Sequence, residues 1–253
     1  MAPSREMMRM QILAIDIGAT NIKYCEVDST GALLDVIRRR PTPYPCTPPR
    51  LVGVLSERIA KSFSTRVGVG FPGEFVDGHV VRPGNLSRPG GVTTEVDPAL
   101  EQQWRGFALQ SALRAATHRQ VRVVNDATLA ALGSSEGAGT ELVFTLGTGL
   151  GLALVVDGTV REVRDVGAEP FIDTFTYDQV LGEHSRARNE KKWRAWLLLA
   201  VVNFVAEFDA TTVHLAGGNA RRVAPSLFAT LACPVVINGN QAPLRGAAKL
   251  FYD

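Results

Sequence analysis

The sequence predicts an α/β fold built from two similar lobes, and three observations lead to this prediction. A unit of strand, glycine-containing turn, strand, short turn and third strand occurs near the start of the chain and again from Glu141. The remaining segments alternate between strand-like apolar runs and stretches with helical periodicity. The 253 residues are enough for two lobes with separate cores, or for one large α/β domain. Two equivalent units favour two lobes whose glycine turns face each other across a cleft.

The first unit begins with an apolar run, Ile12 to Ile17, which predicts a buried strand. Gly18 then permits a tight turn. Thr20, Asn21 and Lys23 follow at once and supply hydroxyl, amide and ammonium donors. Backbone N–H groups in such a turn can converge on a phosphate, while Lys23 or Thr20 adds a contact. A β-hairpin with an ordinary polar turn is the alternative interpretation.

The second unit repeats this plan. Its turn, Gly147-Thr148-Gly149, corresponds to residues 18–21, and we call these segments the second and the first phosphate turn. Each unit continues into a second and a third predicted strand, the third strand of the first unit being expected at residues 33–37. Asp16, at the end of the first strand, is a candidate ligand for Mg²⁺, directly or through water. A phosphoryl group bound by both turns is the arrangement of a phosphotransferase.

Asp126 follows a predicted strand at residues 121–124 and precedes a predicted helix at residues 128–132. Open α/β sheets bind ligands at the edge where strands end in this way. One interpretation is that Asp126 caps the helix. The other is that its carboxylate acts as a general base, accepting the proton of a hydroxyl group that attacks a phosphoryl group.

Five motifs resemble those of the ROK group of sugar kinases, in the actin/hexokinase superfamily, and most closely its polyphosphate glucokinase branch. In chain order they are Asp16-Ile17-Gly18-Ala19-Thr20-Asn21-Ile22-Lys23, Gly68-Val69-Gly70-Phe71-Pro72-Gly73, Asn125-Asp126-Ala127, Leu146-Gly147-Thr148-Gly149-Leu150-Gly151 and Gly217-Gly218-Asn219. The resemblance spans nearly the whole chain. It implies a two-lobed, ribonuclease H-like fold with a cleft, an N-terminal lobe at 1–118 and a C-terminal lobe at 119–253. A terminal helix at about 244–253 would pack back on the first lobe.

The resemblance also assigns roles to residues and makes Asp126 the catalytic base. The implied phosphate-binding residues are Gly18, Thr20, Asn21, Lys23, Gly147, Thr148 and Gly149. The implied sugar-binding residues are Gly73, Asn85, Asn125, Asp126, Asp165 and Glu169. The implied nucleotide-binding residues are Gly217, Gly218 and Asn219. Asn85 is also a good turn residue, and the Gly217–Asn219 segment also suits a tight strand-to-helix turn.

One segment departs from the family pattern, in which a Glu-x-Gly-His sequence contacts the sugar hydroxyls. Here Asp165 replaces the glutamate and is one methylene shorter, while Ala168 replaces the histidine. A charged hydrogen bond contributes about 1.5–3 kcal/mol, so we expect weaker glucose binding unless Glu169 substitutes. Three interpretations remain open: a different sugar, a weak or moonlighting kinase, or a relative that binds without turnover.

The predicted function is phosphoryl transfer from ATP or polyphosphate to a hexose hydroxyl, with Mg²⁺ near Asp16 and Asp126 as the base. The alternatives are a catalytically weak or inactive sugar- or phosphate-binding regulatory protein and an actin-like ATPase without a sugar. The triple Arg38-Arg39-Arg40 is interpreted as a solvated strand end, although a polyphosphate donor could contact it. The expected partner is a small sugar.

Composition excludes several other classes of function. A net charge of +2 is too small to argue for binding to nucleic acid or to an anionic membrane. The first eleven residues lack the apolar core of a signal peptide, and the apolar run at 196–205 is too short to cross a bilayer. Cys25, Cys46 and Cys233 have no metal or redox spacing, so we expect reduced thiols, no structural zinc and a cytoplasmic location.

Further helices are expected at residues 48–62, 104–117, 177–186, 190–208 and 221–232. In the fourth of these, aromatic and aliphatic residues recur at helical spacing from Trp193 to Phe208. This stripe indicates core or dimer packing, and a homodimer is expected.

Overall fold

The protein is described by a computed structural model covering residues 11–164 and 166–252. The described chain divides into two compact units. The first contains the residues up to Leu129 together with the C-terminal segment from Pro243, and the second runs from Ala130 to Ala242. None of the helices in these ranges is long and apolar enough to cross a membrane. The mixture of helices and sheets confirms the predicted α/β class.

The described residues of the first unit form seven strands. They are β1 (Ile12–Ile17), β2 (Asn21–Val27), β3 (Arg38–Pro41), β4 (Arg66–Phe71), β5 (Glu74–Val76), β6 (His79–Arg82) and β7 (Gln120–Asn125). Five of them form a sheet in the order β3-β2-β1-β4-β7. The first three strands along the chain pair antiparallel, whereas β4 and β7 add in parallel. All six residues of β1 are buried at the centre of this sheet, as the apolar run predicts.

Four helices begin in the first unit: α1 (Pro48–Ile59), α2 (Pro98–Trp104), α3 (Leu109–Thr117) and α4 (Asp126–Ser134). Thr47 caps α1 by accepting the N–H of Arg50, and prolines fill the first turn, where they cost no hydrogen bond. Leu51 and Leu55 of α1 are buried in the same apolar core as Ile15. The helix therefore covers the sheet face to which Ile15 points.

Seven strands are also found in the described part of the second unit. They are β8 (Thr140–Leu146), β9 (Leu150–Val156), β10 (Thr159–Arg164), β11 (Pro170–Ile172), β12 (Phe175–Thr176), β13 (Thr212–Ala216) and β14 (Val235–Gly239). Five form a sheet in the order β10-β9-β8-β13-β14. Three consecutive antiparallel strands are again followed by two parallel ones. This shared topology confirms the internal repeat predicted from the sequence.

Three helices follow in the second unit, and one closes the chain. They are α5 (Tyr177–Leu181), α6 (Glu183–Arg188), α7 (Glu190–Phe208) and α8 (Ala242–Lys249). The predicted stripe of α7 forms core: Trp193, Leu197 and Phe204 are buried with the sheet residue Phe144. The terminal helix α8 packs on the first unit, where Ala247 lies against Gly68 so closely that a Cβ at this glycine would overlap it.

The third strand of the first sheet lies later in the chain than expected. It spans Arg38–Pro41 rather than residues 33–37, because Asp28 extends the preceding turn by accepting the N–H groups of Thr30 and Ala32. Leu33 forms only an isolated bridge with Val27. The apolar residues that suggested a strand are instead partly or largely exposed.

Three predicted helices are interrupted. The 104–117 prediction starts too early: α2 ends at Trp104 and α3 begins only at Leu109, because Gly106 between them has a φ of +73° that a helix cannot contain. The 177–186 prediction divides into α5 and α6 at Gly182, which has an extended conformation. The 221–232 prediction is wrong, since only short 3₁₀ turns form at Ala220–Arg222 and Pro225–Phe228. Pro225 opens the second turn because it cannot continue a helix from the first.

The expected boundary between the lobes at 118/119 also needs correction. Strand β7 pairs with β4 along its whole length, so it belongs to the first sheet. The first unit consequently continues to Leu129 and includes Asp126, which the sequence analysis placed in the C-terminal lobe.

Candidate functional site

The first part of the site is an ion pair on the sheet of the first unit. Asp16 lies near the end of β1, and Lys23 is its partner in the antiparallel register with β2. Directly paired residues point to the same face of a sheet, and Lys23 Nζ lies 2.8 Å from Asp16 Oδ2. The Asp16 side chain is almost completely buried. The strand–turn–strand pattern around Gly18 therefore holds an acidic side chain, Asp16, beside a basic one, Lys23.

Asn125, rather than Asp126, caps α4. The Asn125 Oδ1 atom accepts the N–H groups of Ala127 and Thr128 at 2.8 and 3.2 Å, and its Nδ2 atom donates to the carbonyl of Gly73 at 2.7 Å. The Asp126 Oδ1 atom accepts only the N–H of Ala127 among the described residues, at 2.9 Å. The interpretation of Asp126 as a mere helix cap is therefore not needed, because its neighbour satisfies the helix end.

The surroundings raise the pKa of the Asp126 carboxyl from 3.8 to about 7. Burial is the largest cause, and the negative charge of Asp16 acts in the same direction. The N–H of Ala127 and the ammonium group of Lys23 partly offset these effects by lowering the pKa. A carboxyl that titrates near neutral pH can exchange a proton with a substrate hydroxyl under physiological conditions.

Two glycines, Gly73 and Gly84, let the segments that contain the predicted sugar-binding residues of the first unit approach each other closely. A Cβ at Gly73 would overlap the carbonyl of Arg82, and a Cβ at Gly84 would overlap the carbonyl of Pro72. Gly84 also has a φ of +54°. These contacts hold the 3₁₀ turn that contains Asn85 against the Gly73 turn, to which Asn125 is bonded. The half-buried Asn85 side chain makes no hydrogen bond with any described residue, so its amide is available to a ligand.

A neighbouring segment binds the carbonyls of the first phosphate turn and leaves two of its N–H groups available. The carbonyls of Gly18 and Ala19 accept the hydroxyls of Thr42 and Tyr44, both at 2.7 Å, and the carbonyl of Thr20 accepts the N–H of Thr42 at 3.0 Å. In the part of the chain that the structure describes, the N–H groups of Ala19 and Thr20 have no acceptor. A backbone fixed in this way can donate both N–H groups to a phosphate.

The second phosphate turn has the same construction. The carbonyls of Leu146 and Gly147 accept the backbone N–H and the side-chain amide of Asn219, at 3.0 and 3.1 Å. Within residues 11–164 and 166–252, no acceptor lies at the N–H groups of Thr148 and Gly149. Each unit thus carries one turn whose carbonyls are bound by a neighbouring segment and whose N–H groups are available.

The Gly217-Gly218-Asn219 segment therefore supports the second phosphate turn directly. Gly217 has a φ of +90°, and a Cβ there would overlap the backbone of Leu146. Only glycine lets the end of β13 approach β8 so closely. The structure places the predicted nucleotide-binding residues next to the second phosphate turn. Asn219 is almost completely buried and forms hydrogen bonds to that turn.

The structure brings Asp178 to the second phosphate turn, although the sequence analysis does not single it out. Its Oδ1 atom accepts the N–H of Leu150 at 2.7 Å. A Cβ at either Gly149 or Gly167 would overlap the Asp178 carboxylate, so both glycines allow its approach. The capping box at Thr176 signals the start of α5 but contains no information about this contact.

The altered sugar motif is described in part. Asp165 lies outside the described residues. Ala168 is exposed and offers no side-chain hydrogen bond where the family has an imidazole. Glu169 is half-buried and engaged in interactions, and its carbonyl accepts the N–H of Tyr177 at 3.1 Å.

Asp16 also offers an oxygen for a magnesium ion. One carboxylate oxygen binds Lys23, and the other accepts no hydrogen bond from the described residues. Mg²⁺ commonly binds one or two carboxylates and completes its shell with water and substrate phosphates, and this donor set fits such a site. The described residues contain no group of three or more His, Cys, Asp or Glu side chains that could hold a metal ion by themselves.

Comparison with known proteins gives consistent results at the level of sequence. The sequence model of the ROK family matches residues 12–166. The polyphosphate glucokinase of Mycobacterium tuberculosis is 30% identical over 163 residues, which cover 60% of this chain and 56% of that protein. The glucokinase of Halalkalibacterium halodurans is 28% identical over 162 residues, covering 58% of this chain and 44% of that protein. The matches span about half the length of these curated relatives.

Solved structures extend the similarity over almost the whole chain. The inorganic polyphosphate/ATP-glucomannokinase of Arthrobacter sp. strain KM has a TM-score of 0.78 and 28% identity, covering 96% of this chain and 98% of that one. A ROK family glucokinase of Streptomyces griseus, in complex with glucose and AMPPNP, has a TM-score of 0.76 and 17% identity, covering 95% and 98%. These similarities confirm the predicted actin/hexokinase fold.

Proposed function

The chain belongs to the ROK family, and we propose that it is a sugar kinase that transfers a phosphoryl group from ATP or polyphosphate to a hexose hydroxyl. The observation that carries this proposal is the Asp126 carboxyl, which has a pKa of about 7 and lies within the electrostatic influence of Asp16 and Lys23. The helix that it begins is capped by Asn125 instead. The position of Asp126 therefore suits proton transfer better than it suits stabilisation of the helix.

The acceptor hydroxyl binds in the first unit and gives its proton to Asp126. Ionised Asp126 accepts the proton as the hydroxyl oxygen attacks the terminal phosphorus of the donor, and the bond from that phosphorus to the bridging oxygen breaks. The free amide of Asn85 is available to orient the sugar. One N–H of the Asn125 amide is bonded to Gly73, and the other remains for a sugar hydroxyl.

The donor phosphates bind through backbone N–H groups and Lys23. In the first unit, the available N–H groups of Ala19 and Thr20 suit phosphate oxygens, which accept several hydrogen bonds each. The second unit, considered by itself, offers the N–H groups of Thr148 and Gly149 in the same way. A magnesium ion held by Asp16 would neutralise part of the charge that develops on the phosphates. Such positioning and charge stabilisation provide most of the catalysis in phosphoryl transfer.

ATP and polyphosphate are both candidate donors. The names of two similar proteins, the M. tuberculosis polyphosphate glucokinase and the Arthrobacter polyphosphate/ATP-glucomannokinase, support both donors. They also support glucose or mannose as the acceptor. The shorter Asp165 and the exposed Ala168 argue for a sugar with fewer contacts on that side.

A second candidate function is a regulatory protein that binds sugar or phosphate with weak turnover or none. Ala168 favours it, because a methyl group cannot replace the hydrogen bonds of the family's histidine. This candidate retains the phosphate turns and Asn85 but predicts no phosphorylated product.

The two candidates are separated by Mg²⁺-dependent phosphorylation assays with ATP and polyphosphate over glucose, mannose and N-acetylated hexosamines. For a kinase, Asp126→Asn lowers kcat by about 100- to 10,000-fold, the usual contribution of a general base. Asp173→Asn, at an exposed aspartate outside the site, serves as the matched control and retains activity. Sugar or donor binding in a folded protein without product for any pair would instead support the binding protein.

A further inference from the structure

The exposed edge strand β3 consists of three arginines and a proline, and its register places the arginines on alternate faces of the sheet. Arg38 pairs with Tyr24, Arg39 with Lys23 and Arg40 with Ile22. Ile22 and Tyr24 face the core covered by α1, so Arg38 and Arg40 lie on that face. Arg39 lies on the opposite face, in one row with Lys23 and Asp16.

Arg39 also differs from its neighbours in its partners. Arg38 forms an ion pair of 2.8 Å with Asp35, and Arg40 forms one of 3.3 Å with Glu57. The Arg39 side chain is exposed and makes no hydrogen bond or ion pair with any residue in the described ranges. Since Lys23 and Asp16 neutralise each other, Arg39 gives this row a surplus positive charge.

The row leads away from the first phosphate turn. Neighbouring strands lie about 4.8 Å apart, so Arg39 is about 10 Å across the sheet from Asp16. Pro41, two residues further along β3, pairs with Asn21 of the first phosphate turn. Thr42 then binds the carbonyls of that turn. If the terminal phosphate of a polyphosphate chain binds at the first phosphate turn, only a few more phosphate units are needed for the chain to reach the guanidinium group of Arg39.

We propose that Arg39 binds the phosphate chain of a polyphosphate donor beyond the phosphoryl group held at the first phosphate turn, and so favours polyphosphate over ATP. The proposal rests on the kinase function proposed above. A guanidinium group binds phosphate oxygens through paired N–H donors, and polyphosphate carries charged oxygens on every unit. ATP carries only three phosphates and then an uncharged ribose, so it gains less from a cation at the far end of the row.

The competing explanation is that the arginines only protect the edge strand from pairing with another chain. Charges on an edge strand do discourage such pairing, but Arg38 and Arg40 already supply two. Protection of the edge gives Arg39 no preference between the two donors, which provides a clear distinction.

The test compares Arg39→Gln with Arg40→Gln, a neighbour on the same strand whose side chain lies on the other face. We expect Arg39→Gln to raise the KM for long-chain polyphosphate about tenfold, the effect of losing one charged hydrogen-bonding group, while the KM for ATP stays within about twofold. Arg39→Lys keeps the charge but loses the paired donors, so its KM should lie between the two. Arg40→Gln should leave both constants unchanged. Added salt should reduce the advantage of the wild-type protein, because the contact is exposed.

Equilibrium binding of polyphosphate to the same variants separates failure of this proposal from failure of the kinase function. Equal effects of Arg39→Gln on both donors, or equal effects of the two glutamine variants, would overturn the role of Arg39 while leaving the kinase intact. If the wild-type protein shows no turnover but Arg39→Gln still weakens polyphosphate binding about tenfold, the kinase function fails and the phosphate-chain site stands. Unchanged polyphosphate binding in Arg39→Gln would reject the site in either case.

Discussion

Replacement of Asp126 by asparagine tests the electrostatics of the site without relying on activity. Asparagine has nearly the same shape as aspartate but no charge at any pH. The Asp126 carboxyl has a pKa of about 7 in the folded protein against 3.8 without the surrounding structure. The folded state therefore binds the proton more tightly than the unfolded state. Protonation at low pH stabilises the fold, and this contribution is lost as the pH rises through about 7.

The size of the effect follows from the two pKa values. With values of 3.8 and about 7, the contribution of Asp126 to the free energy of unfolding falls by about 2.5 kcal/mol between pH 5 and pH 8. Solvent reaches part of this side chain, so about 2.5 kcal/mol is an upper value and about 1–2.5 kcal/mol is expected. Asp126→Asn lacks this decline and gains stability over the wild-type protein as the pH rises.

Urea unfolding of both proteins near pH 5 and near pH 8 measures this difference, and Asp173→Asn provides an exposed control. The difference between wild type and Asp126→Asn should change with pH, while that for the control should not. A difference that stays constant within about 0.5 kcal/mol between the two pH values would refute the raised pKa. It would also remove the main physical support for Asp126 as the base.

Two further predictions concern the neighbours of this carboxyl and the second phosphate turn. Loss of the negative charge in Asp16→Asn should lower the Asp126 pKa and move the acidic limb of the kcat/KM profile to lower pH. Loss of the positive charge in Lys23→Gln should move this limb to higher pH. Shifts of both variants in the same direction would contradict the assignment of the acidic limb to Asp126. Gly149→Ala would displace the Asp178 carboxylate and should lower the free energy of unfolding, measured in urea, by about 1–3 kcal/mol. Gly147→Ala places its methyl group in open space and should lower it by less than about 0.5 kcal/mol. Equal losses in the two variants would contradict the geometry.

The predictable part of the site is the part formed by residues close in sequence. Asp16 and Lys23 lie on two strands joined by the turn that begins at Gly18, so their spacing alone places an acidic and a basic side chain on one face. Asp126 follows a strand and begins a helix, a position that the sequence shows directly. The repeated pattern of three strands likewise predicts the common topology of the two sheets, since antiparallel neighbours require only short connections.

The parts that sequence reasoning missed depend on contacts between distant segments. Asp178 reaches the N–H of Leu150, 28 residues earlier, and no local pattern encodes that approach. Asn125 was predicted to bind sugar, but its role as a cap and its bond to Gly73 become visible only when β7 is placed beside β4. The error at the third strand arose because the mostly apolar segment 33–37 satisfied a strand pattern, while the carboxylate of Asp28 held the chain in a longer turn.

The row of charges across the first sheet explains how a carboxyl with a costly environment can still serve as a base. Burial is the largest cause of the raised pKa of the Asp126 carboxyl, and the negative charge of Asp16 raises it further, because two nearby carboxylates resist ionising together. The N–H of Ala127 and the ammonium group of Lys23, which lies 2.8 Å from Asp16, both lower the pKa of Asp126, so that the net value is about 7. Folding does not require this arrangement, since Asn125 caps the helix and an uncharged residue at 126 would be more stable above pH 7. Proton transfer at neutral pH requires a carboxyl whose pKa lies near 7. The surroundings of Asp126 raise its pKa, and the positive charge of Lys23 limits that rise.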